Sequence, residues 1–361
     1  MTDDMEPVDY LSRHWQTSSS LIPDKIDELV KLCADNSDNA PLYRDMLLEV
    51  VRMAQTDRNR WDAKILLQTI RELESSFTRL SLFKRRRKVT VFGSARTAPT
   101  HALYRTAKNL GQALSKHDYM TITGGGGGIM AAAHEGAGPD NSLGLNISLP
   151  FEQRANNTIR GTEHELSFKF FFLRKLFFVK EADALVLCPG GFGTMDETLE
   201  LLTLIQTGKS PLVPVVLLDE PEGRYWDSLL NFFREQLLSA GYIAENDFHL
   251  LKLVKSPEAA MQEILHFYHN FHSSRWLGKR YLLRLNQPLS EQALQTIQTR
   301  FSPLCVEGGF TQHSSSEIEE NTEFSGLTIL SFMFRGRDHG ALRTLIDFTN
   351  QPENLKNHGT A

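Results

Sequence analysis

The chain has 361 residues, of which 41% are hydrophobic and 23% charged, and its formal net charge at pH 7 is −5. These values are typical of globular domains, and the negative charge gives no general case for binding nucleic acid or a membrane surface. The sequence has three widely spaced cysteines, no metal-ligand spacing and no long apolar run, and its first residues, MTDDMEPVDY, are acidic and lack the apolar region of a signal peptide. We therefore expect a cytoplasmic protein that does not span a membrane and needs no metal.

Apolar side chains at helical spacing dominate residues 21–83. Pro23 and Pro41 mark the starts of two predicted helices, and a third is expected from about Arg58 to Leu80. We assign residues 1–84 to a helical extension. The basic run KRRRK at its end could contact a phosphate-bearing ligand or nucleic acid, although such runs are more often solvated linker faces.

Strands and helices alternate in the next part of the chain, which we take as a core domain over 85–271. Strands are predicted at 88–92, 119–123 and 142–149, with helices from 101 to 116 and from 129 to 134. Glycine-containing turns, Gly93-Ser94 and Gly124–Gly128, follow the first two strands. This order predicts a doubly wound, Rossmann-like α/β fold whose ligand binds at the carboxyl ends of the strands. Neither a P-loop nor a dinucleotide fingerprint is present, so a mononucleotide is the expected ligand.

The stretch PGGFGTMDE, residues 189–197, joins the apolar strand ALVLC (184–188) to a helix expected from about Thr194. Gly190, Gly191 and Gly193 allow the backbone to approach a ligand closely. Free N–H groups at the helix start make an anion site, for which phosphate is the natural occupant. Glu197 is expected in the first turn, where it could contact sugar hydroxyls or a developing cation, or merely complement the helix dipole.

A helix predicted from 166 to 181 has apolar residues on nearly every face, which indicates burial. It carries Arg174, and a buried guanidinium needs an anionic partner or a ligand. Pairing with Glu197 or Glu181 would be a purely structural solution. The polar, irregular stretch 150–165 is predicted to be a loop that borders the pocket, in which asparagine is typical of turns.

The remaining core elements are strands at 212–218 and 250–254 and helices at 226–240 and 257–271. Residues 272–361 are predicted to form a separate small α+β domain. Its strands are expected at 281–286, 306–312 and 327–335, and its helices at 290–301 and 339–351. The order β-α-β-β-α resembles a ferredoxin-like unit, a fold that often senses small ligands or forms dimers.

The combined motifs resemble the LOG ("lonely guy") family of nucleotide phosphoribohydrolases, once labelled lysine decarboxylases. PGGFGTMDE matches the family signature PGGxGTxxE, and the Arg174-Lys175 dipeptide precedes Glu197 by 23 residues. VFGSAR (91–96) and ITGGGGGIM (122–130) match the two earlier turns. The resemblance covers roughly residues 88–270, and no lysine stands in a recognisable pyridoxal-phosphate site.

This resemblance implies hydrolysis of the N-glycosidic bond of a nucleoside 5′-monophosphate, cytokinin ribotides included, without a cofactor. It implies that Glu197 and Arg174 are catalytic. The residues that it implies for substrate binding are Ser94, Gly125, Gly126, Lys175, Gly190, Gly191, Gly193, Thr194, Thr203 and Asn157. The family places a sugar- or base-contacting residue in the 150–165 loop, for which Asn156 and Glu152 are the other candidates. It also implies a homodimer or larger homo-oligomer. Lys175 is expected beside the substrate phosphate.

A protein that binds nucleotides without chemistry, as a sensor or carrier, is the alternative from another functional class. The two flanking domains would suit such a role. The Arg174 and Glu197 pair argues against it, because phosphate binding alone does not require a carboxylate.

Overall fold

The computed structural model divides the chain into two compact units, residues 1–71 and 72–361. It describes residues 21–57, 59–148, 155–318 and 324–356. The first unit contains α1 (Leu21–Ala34), α2 (Ala40–Gln55) and the start of α3 (Arg60–Ser81), which confirms the three predicted helices. Across the described residues, no helix is both long enough and apolar enough to cross a membrane.

Seven parallel strands form the main sheet within the described part of the second unit. They are β1 (Lys88–Phe92), β2 (Met120–Thr123), β3 (Ser142–Ile147), β4 (Glu165–Phe168), β5 (Ala184–Leu187), β6 (Val215–Leu218) and β7 (Leu251–Val254). The connecting helices are α4 (Ala102–Lys116), α5 (Ile129–Ala137), α6 (Phe171–Glu181), α7 (Phe192–Gln206), α8 (Tyr225–Phe232) and α9 (Pro257–Phe267). The predicted doubly wound α/β fold is confirmed.

The strand order β4-β3-β2-β1-β5-β6-β7 places a reversal of chain direction across the sheet between β1 and β5. These two strands end side by side, with Phe92 opposite Leu187. In open α/β sheets the ligand crevice lies at such a reversal, outside the carboxyl ends of the strands. The turns that begin at Gly93 and at Pro189 both leave the sheet at this point.

Glycines let two helices on one face of this sheet approach each other closely. A Cβ atom added to Gly111 of α4 would lie 2.1 Å from the carbonyl oxygen of Ala133, and one added to Gly136 of α5 would lie 1.9 Å from that of Lys108. Both distances are far below van der Waals contact, and both obstacles are backbone atoms. A larger residue at either position therefore forces the helices apart.

A second sheet follows, with four antiparallel strands among the described residues in the order β10-β11-β9-β8. Its elements are β8 (Phe271–Leu277), β9 (Arg280–Leu285), α10 (Glu291–Arg300), β10 (Thr311–Ser314), β11 (Thr328–Phe332) and α11 (His339–Thr349). The order ββαββα is a circular permutation of the ferredoxin-like order βαββαβ, in which the last strand comes first in the chain. The sequence prediction of this α+β fold is right in class but lacks β8. The boundaries at 84/85 and 271/272 stay predictions.

Two predicted helices are wrong at one end. Leu166 to Phe168 belong to β4, because Leu166 and Phe168 are buried while Ser167 is exposed, a period of two rather than 3.6. The helix predicted to reach residue 271 ends at Phe267. The Asn350 side chain donates to the Phe267 carbonyl and accepts the N–H groups of residues 270 and 271, which redirects the chain into β8.

Three further boundaries differ from the prediction. The strand expected at 306–312 lies at Thr311–Ser314, after Gly308 in the left-handed region. The helix expected at 226–240 continues past Phe232 only as a π-helical turn, Phe233–Leu238. The helix of the PGGFGTMDE segment begins at Phe192 rather than Thr194. The predicted end of the third strand, Leu149, lies outside the described residues.

The basic run before β1 is mostly committed to ion pairs. Arg86 pairs with Asp118 at 2.9 Å, and Lys88 pairs with Glu181 at 3.3 Å. Arg87 lies 3.7 Å from Asp183, and its guanidinium carbon is 3.6 Å from the centre of the Tyr268 ring. These three residues therefore have protein partners, so they form neither a free ligand-binding patch nor a freely solvated linker.

Replacing Gly111 with alanine is expected to destabilise the protein by about 1–3 kcal/mol, because the added methyl group overlaps the backbone of α5. Urea denaturation measures the loss. Gly193→Ala is the matched control, since a Cβ there meets no atom within 4 Å. Equal stabilities for the two variants would contradict the close α4–α5 contact.

Candidate active site

Three turns meet at the carboxyl ends of β1, β2 and β5, and the backbone of Ser94 joins them. The Ser94 N–H donates to the carbonyl of Pro189 at 3.1 Å, and the Ser94 carbonyl accepts the N–H of Ile129 at 3.0 Å. A Cβ added to Gly190 would lie 3.0 Å from the Ser94 nitrogen, and one added to Gly128 would lie 2.2 Å from the Ser94 oxygen. The turns therefore interlock only because glycine stands at these contacts.

The glycine-rich turn after β2 is held from behind by Asn156. Its side-chain nitrogen lies 3.1 Å and 3.2 Å from the carbonyl oxygens of Gly125 and Gly126, and 3.1 Å from Nδ1 of His134. Burial lowers the pKa of His134 to about 4, so the ring is neutral at pH 7 and Nδ1 can accept this hydrogen bond. Asn156 therefore fixes the turn that Gly125 and Gly126 form.

A cavity of about 1030 Å³ opens where the three turns meet. Its lining includes five of the residues expected to bind substrate and both residues expected to be catalytic: Ser94, Gly190, Gly191, Gly193, Thr194, Arg174 and Glu197. Its volume is at the upper end of the range for small-molecule sites, about 300–1,000 Å³. The sequence motifs thus converge on one concave site although they are far apart in the chain.

The other five residues expected to bind substrate lie outside this lining: Gly125, Gly126, Asn157, Thr203 and Lys175. Gly125 and Gly126 form the turn behind it, where Gly124 supplies the lining residue. Asn157 lines a neighbouring cavity, and Thr203 lines an apolar pocket on another side of α7. The Thr203 hydroxyl donates to the carbonyl of Leu199 within its own helix, the alternative that serine and threonine often adopt. Glu152 lies outside the described residues.

Arg174 is a largely buried cation that faces the cavity. Its guanidinium carbon lies 5.0 Å from the ring centre of Phe171 and 5.4 Å from that of Phe178. Within the described ranges it has no carboxylate oxygen inside 4.0 Å, and its buried Nε has no hydrogen-bond partner. Burial lowers the pKa of this guanidinium, opposed by the charges of Glu197 and Asp196. The structural ion pairs considered for Arg174 are therefore not formed.

The side chain of Lys175, the next residue, forms ion pairs with carboxylates instead. Its Nζ lies 2.8 Å from Asp196, 2.5 Å from Glu200 and 3.7 Å from Oε1 of Glu197. Burial lowers the pKa of Lys175, but the hydrogen bonds to Asp196 and Glu200 outweigh this and raise it overall. Lys175 is not among the residues that line the cavity.

Glu197 is buried in the second turn of α7, one turn later than predicted because the helix begins at Phe192. Helix-dipole effects fade beyond the first turn, so the dipole is a weak explanation for a carboxylate here. Burial raises its pKa to about 7, against the opposing charges of Lys175 and Arg174. A carboxyl group in a cavity whose pKa is raised this far by burial is characteristic of functional sites.

Sequence reasoning missed three residues that line the same cavity: Arg96, His101 and Tyr225. Arg96 is the last residue of the VFGSAR segment that supports the family resemblance, but the sequence analysis assigned it no role. Tyr225 donates from its hydroxyl to the Gly190 carbonyl at 2.6 Å, and its own N–H donates to Asp219. No local pattern links Tyr225 to a turn 35 residues earlier.

Comparisons with other proteins identify relatives of this chain. The family model described as "Possible lysine decarboxylase" matches residues 127–264. Cytokinin riboside 5′-monophosphate phosphoribohydrolase LOG1 of Arabidopsis thaliana is 29% identical over 132 residues, covering 37% of this chain and 54% of that protein. Two rice proteins (Oryza sativa subsp. japonica) are named as probable enzymes of the same kind. LOGL5 is 31% identical with 44% and 63% coverage, and LOG4 is 30% identical with 48% and 78% coverage.

Fold and site together define a doubly wound α/β protein in which a glycine-rich turn, a helix start and a buried carboxylate share one cavity. The chain belongs to the LOG family of cytokinin riboside 5′-monophosphate phosphoribohydrolases. It spans 54% and 63% of the length of LOG1 and LOGL5. A solved molybdenum cofactor binding protein from Rippkaea orientalis is 22% identical, with a TM-score of 0.34 over 49% of this chain and 94% of that one, and a similarity of that size carries no functional argument.

Replacing Glu197 with glutamine is expected to stabilise the protein at alkaline pH. The pKa of Glu197 is raised from 4.5 to about 7 on folding, so ionisation opposes folding progressively between these values and fully above about pH 7. The variant should gain up to roughly 2–3 kcal/mol at pH 8 and nothing below about pH 4.5. Urea denaturation across this range measures the difference.

Glu258→Gln is the matched control, because Glu258 is exposed and lies in the first turn of α9, where a carboxylate does complement a helix dipole. Loss of stability in the Glu197 variant at pH 8 would show that the carboxylate is held by favourable contacts rather than strained by burial.

Proposed function

We propose that the protein hydrolyses the N-glycosidic bond of nucleoside 5′-monophosphates, releasing a free base and ribose 5-phosphate. The observation that carries this is the buried Glu197 in the same cavity as the start of α7 and Arg174, which has no carboxylate oxygen within 4.0 Å among the described residues. The names of the LOG relatives support the same reaction. Cytokinin ribotides and ordinary AMP, GMP or CMP present the same ribose phosphate to such a site.

The start of α7 suits the 5′-phosphate. The N–H groups of a first helical turn have no partner inside the helix, and the dipole favours an anion at this end. Gly191 and Gly193 have open space where a side chain would stand, so a ligand can reach the backbone there. The Tyr225 hydroxyl holds the Gly190 carbonyl and keeps the turn in place.

Glu197 suits the sugar. As the base departs, C1′ of the ribose gains positive charge, as in glycoside hydrolysis. An ionised carboxylate in a largely buried position stabilises this charge strongly, because few water molecules screen it. The same carboxylate can bind ribose hydroxyls or orient the attacking water.

Arg174 suits the leaving base. A guanidinium keeps its proton, so stabilisation of negative charge on the base is the role that its chemistry allows. It lies beside the second glycine-rich turn, with Nη1 3.8 Å from where a Cβ of Gly124 would stand. Its lack of a carboxylate partner among the described residues leaves the charge available for a ligand.

We also propose that the protein assembles as a homodimer or larger homo-oligomer in the cytoplasm. Large apolar side chains are exposed beside the cavity: on α6, Phe171 is 49%, Phe172 54% and Leu176 46% exposed. Leu199 of α7 is 45% exposed. Contiguous exposed apolar groups often mark a protein–protein contact. Light scattering on the purified chain tests the mass.

Glu197→Gln and Arg174→Ala are each expected to lower ribose 5-phosphate release by at least roughly 10²–10³-fold, the usual effect of removing one electrostatic contact to a transition state. A coupled assay for ribose 5-phosphate, run on a panel of nucleoside monophosphates and cytokinin ribotides, measures this and ranks the bases. Glu258→Gln and Arg105→Ala, at exposed positions outside the cavity, are the controls.

Near-wild-type release in either cavity variant would overturn the assigned roles. If the wild-type chain binds nucleotides in a thermal-shift experiment but releases no base from any of them, the protein is a nucleotide sensor or carrier instead.

Lys175→Met is expected to move the acidic limb of the pH profile of kcat/KM to higher pH. Four charged groups act on Glu197: Lys175 and Arg174 lower its pKa, whereas Glu200 and Asp196 raise it. Removing Lys175, the nearer cation, raises the pKa of Glu197 above its value of about 7, so Glu197 ionises only at a higher pH. Lys180→Met, an exposed lysine of the same helix, is the control. An unmoved limb would exclude Glu197 as its source.

A further inference from the structure

The proposed phosphate site lacks an assigned cation. A nucleoside 5′-monophosphate brings about two negative charges at pH 7 into a cavity that already contains the Glu197 carboxylate. Backbone N–H groups and a helix dipole supply only partial charges, equivalent to about half a unit. A dianion next to a buried carboxylate therefore calls for a full positive charge on the protein.

Lys175, the residue expected at the phosphate, does not meet this need. Its ammonium group is already shared among Asp196, Glu197 and Glu200, and it lies outside the cavity lining. Withdrawing it would leave three carboxylates without their cation, which is unfavourable in a partly buried place.

Arg174 faces a different part of the cavity. Its guanidinium lies against Phe171 and Phe178 and beside Gly124, which belongs to the turn after β2. The phosphate site is at the turn after β5, where Gly190 and Thr194 meet. Arg174 is also the cation that the proposed reaction uses at the leaving base.

His101 is engaged in capping a helix. Its Nδ1 accepts the N–H of Leu103 at 3.1 Å as the cap of α4. The same atom lies 3.2 Å from Oε1 of Glu220. This side of the imidazole is therefore committed to the helix start and to a carboxylate rather than to a phosphate.

With Arg174 and His101 set aside, Arg96 is the remaining basic side chain among the described residues of the cavity lining. It follows Ser94 by two residues, and its N–H donates to the Ser94 hydroxyl at 3.1 Å. The Ser94 N–H in turn donates to the carbonyl of Pro189, the residue directly before Gly190 in the turn after β5. The loop that carries Arg96 is thus anchored to the turn that carries the anion site. The side chain is exposed and has no ion-pair partner in the described ranges.

We propose that Arg96 is the phosphate-recognising residue of this cavity and that it makes the site select 5′-phosphorylated nucleosides over unphosphorylated ones. This inference rests on the proposed function for the identity of the ligand, but it concerns binding rather than bond cleavage. A guanidinium presents paired N–H donors that match two phosphate oxygens, which an ammonium group cannot do with the same geometry. Arg96 therefore acts on ground-state affinity and not on the departing base.

Titration calorimetry with ribose 5-phosphate, which lacks a base and has no N-glycosidic bond to cleave, tests the proposal directly. Arg96→Gln is expected to weaken binding roughly 10- to 100-fold, the effect of losing a charge-assisted contact. Arg96→Lys should fall between this variant and the wild type. Arg105→Gln, an exposed arginine of α4 outside the cavity lining, should bind like the wild type.

Steady-state kinetics on AMP and adenosine give the second readout. Arg96→Gln should raise KM for AMP by the same factor with kcat within about threefold of the wild type, while adenosine turnover, if measurable, stays unchanged. Circular dichroism and urea denaturation establish that the variant is folded, which is expected because Arg96 is an exposed loop residue.

The outcomes separate this inference from the proposed reaction. Ribose 5-phosphate binding that is equal in the wild type and Arg96→Gln overturns the role of Arg96 and leaves the hydrolysis intact. Arg96-dependent binding of nucleotides without release of any base supports the role of Arg96 and overturns the hydrolysis. A wild-type chain that binds no phosphorylated ligand overturns both.

Discussion

The site depends on the backbone of one residue, Ser94. Through its N–H and its carbonyl it connects the turns that follow β1, β5 and β2. These bonds require the chain to pass closer than any side chain allows, which is why Gly128 and Gly190 face Ser94 and why Gly93 packs against Ile129. The glycines therefore have two different uses. Some permit contact between turns, while Gly191 and Gly193 leave open space for a ligand.

The electrostatics of the cavity follow from this packing. Once the turns close over the sheet, Glu197 is buried and Arg174 is nearly so, yet the two are not joined in an ion pair within the described residues. Lys175 partly neutralises Glu197 from 3.7 Å while it is itself engaged by two further carboxylates. Burial nevertheless raises the pKa of Glu197, so its ionised form lowers folding stability. Such a cost is typical of sites where the charge serves a ligand rather than the fold.

The elements that were predicted correctly are those whose sequence signals lie close together in the chain. β1 was predicted to the residue, because five consecutive buried residues between a basic run and a glycine leave little choice. The PGGFGTMDE segment was recognised because its glycines, helix start and carboxylate lie within nine residues. The family of the chain followed from the same segment.

What sequence reasoning missed depends on distant contacts. β8 begins at Phe271 because Asn350, about 80 residues later, captures the backbone there. The family resemblance placed Lys175 beside the phosphate, but consecutive side chains of a helix point about 100° apart, and that of Lys175 meets Asp196. Tyr225 and Asn156 hold the turns by tertiary hydrogen bonds for which no short motif exists.

The way the turns interlock also links ligand binding to the completed fold. Residues 93–94, 128–129 and 189–190 are far apart in sequence, so the proposed anion site exists only after β1, β2 and β5 have all taken their register. An anion that binds there binds the completed sheet and not a partly unfolded one, and it lowers the population of open states that proteases attack. The supply of phosphorylated metabolite would then influence how long each copy of the protein survives.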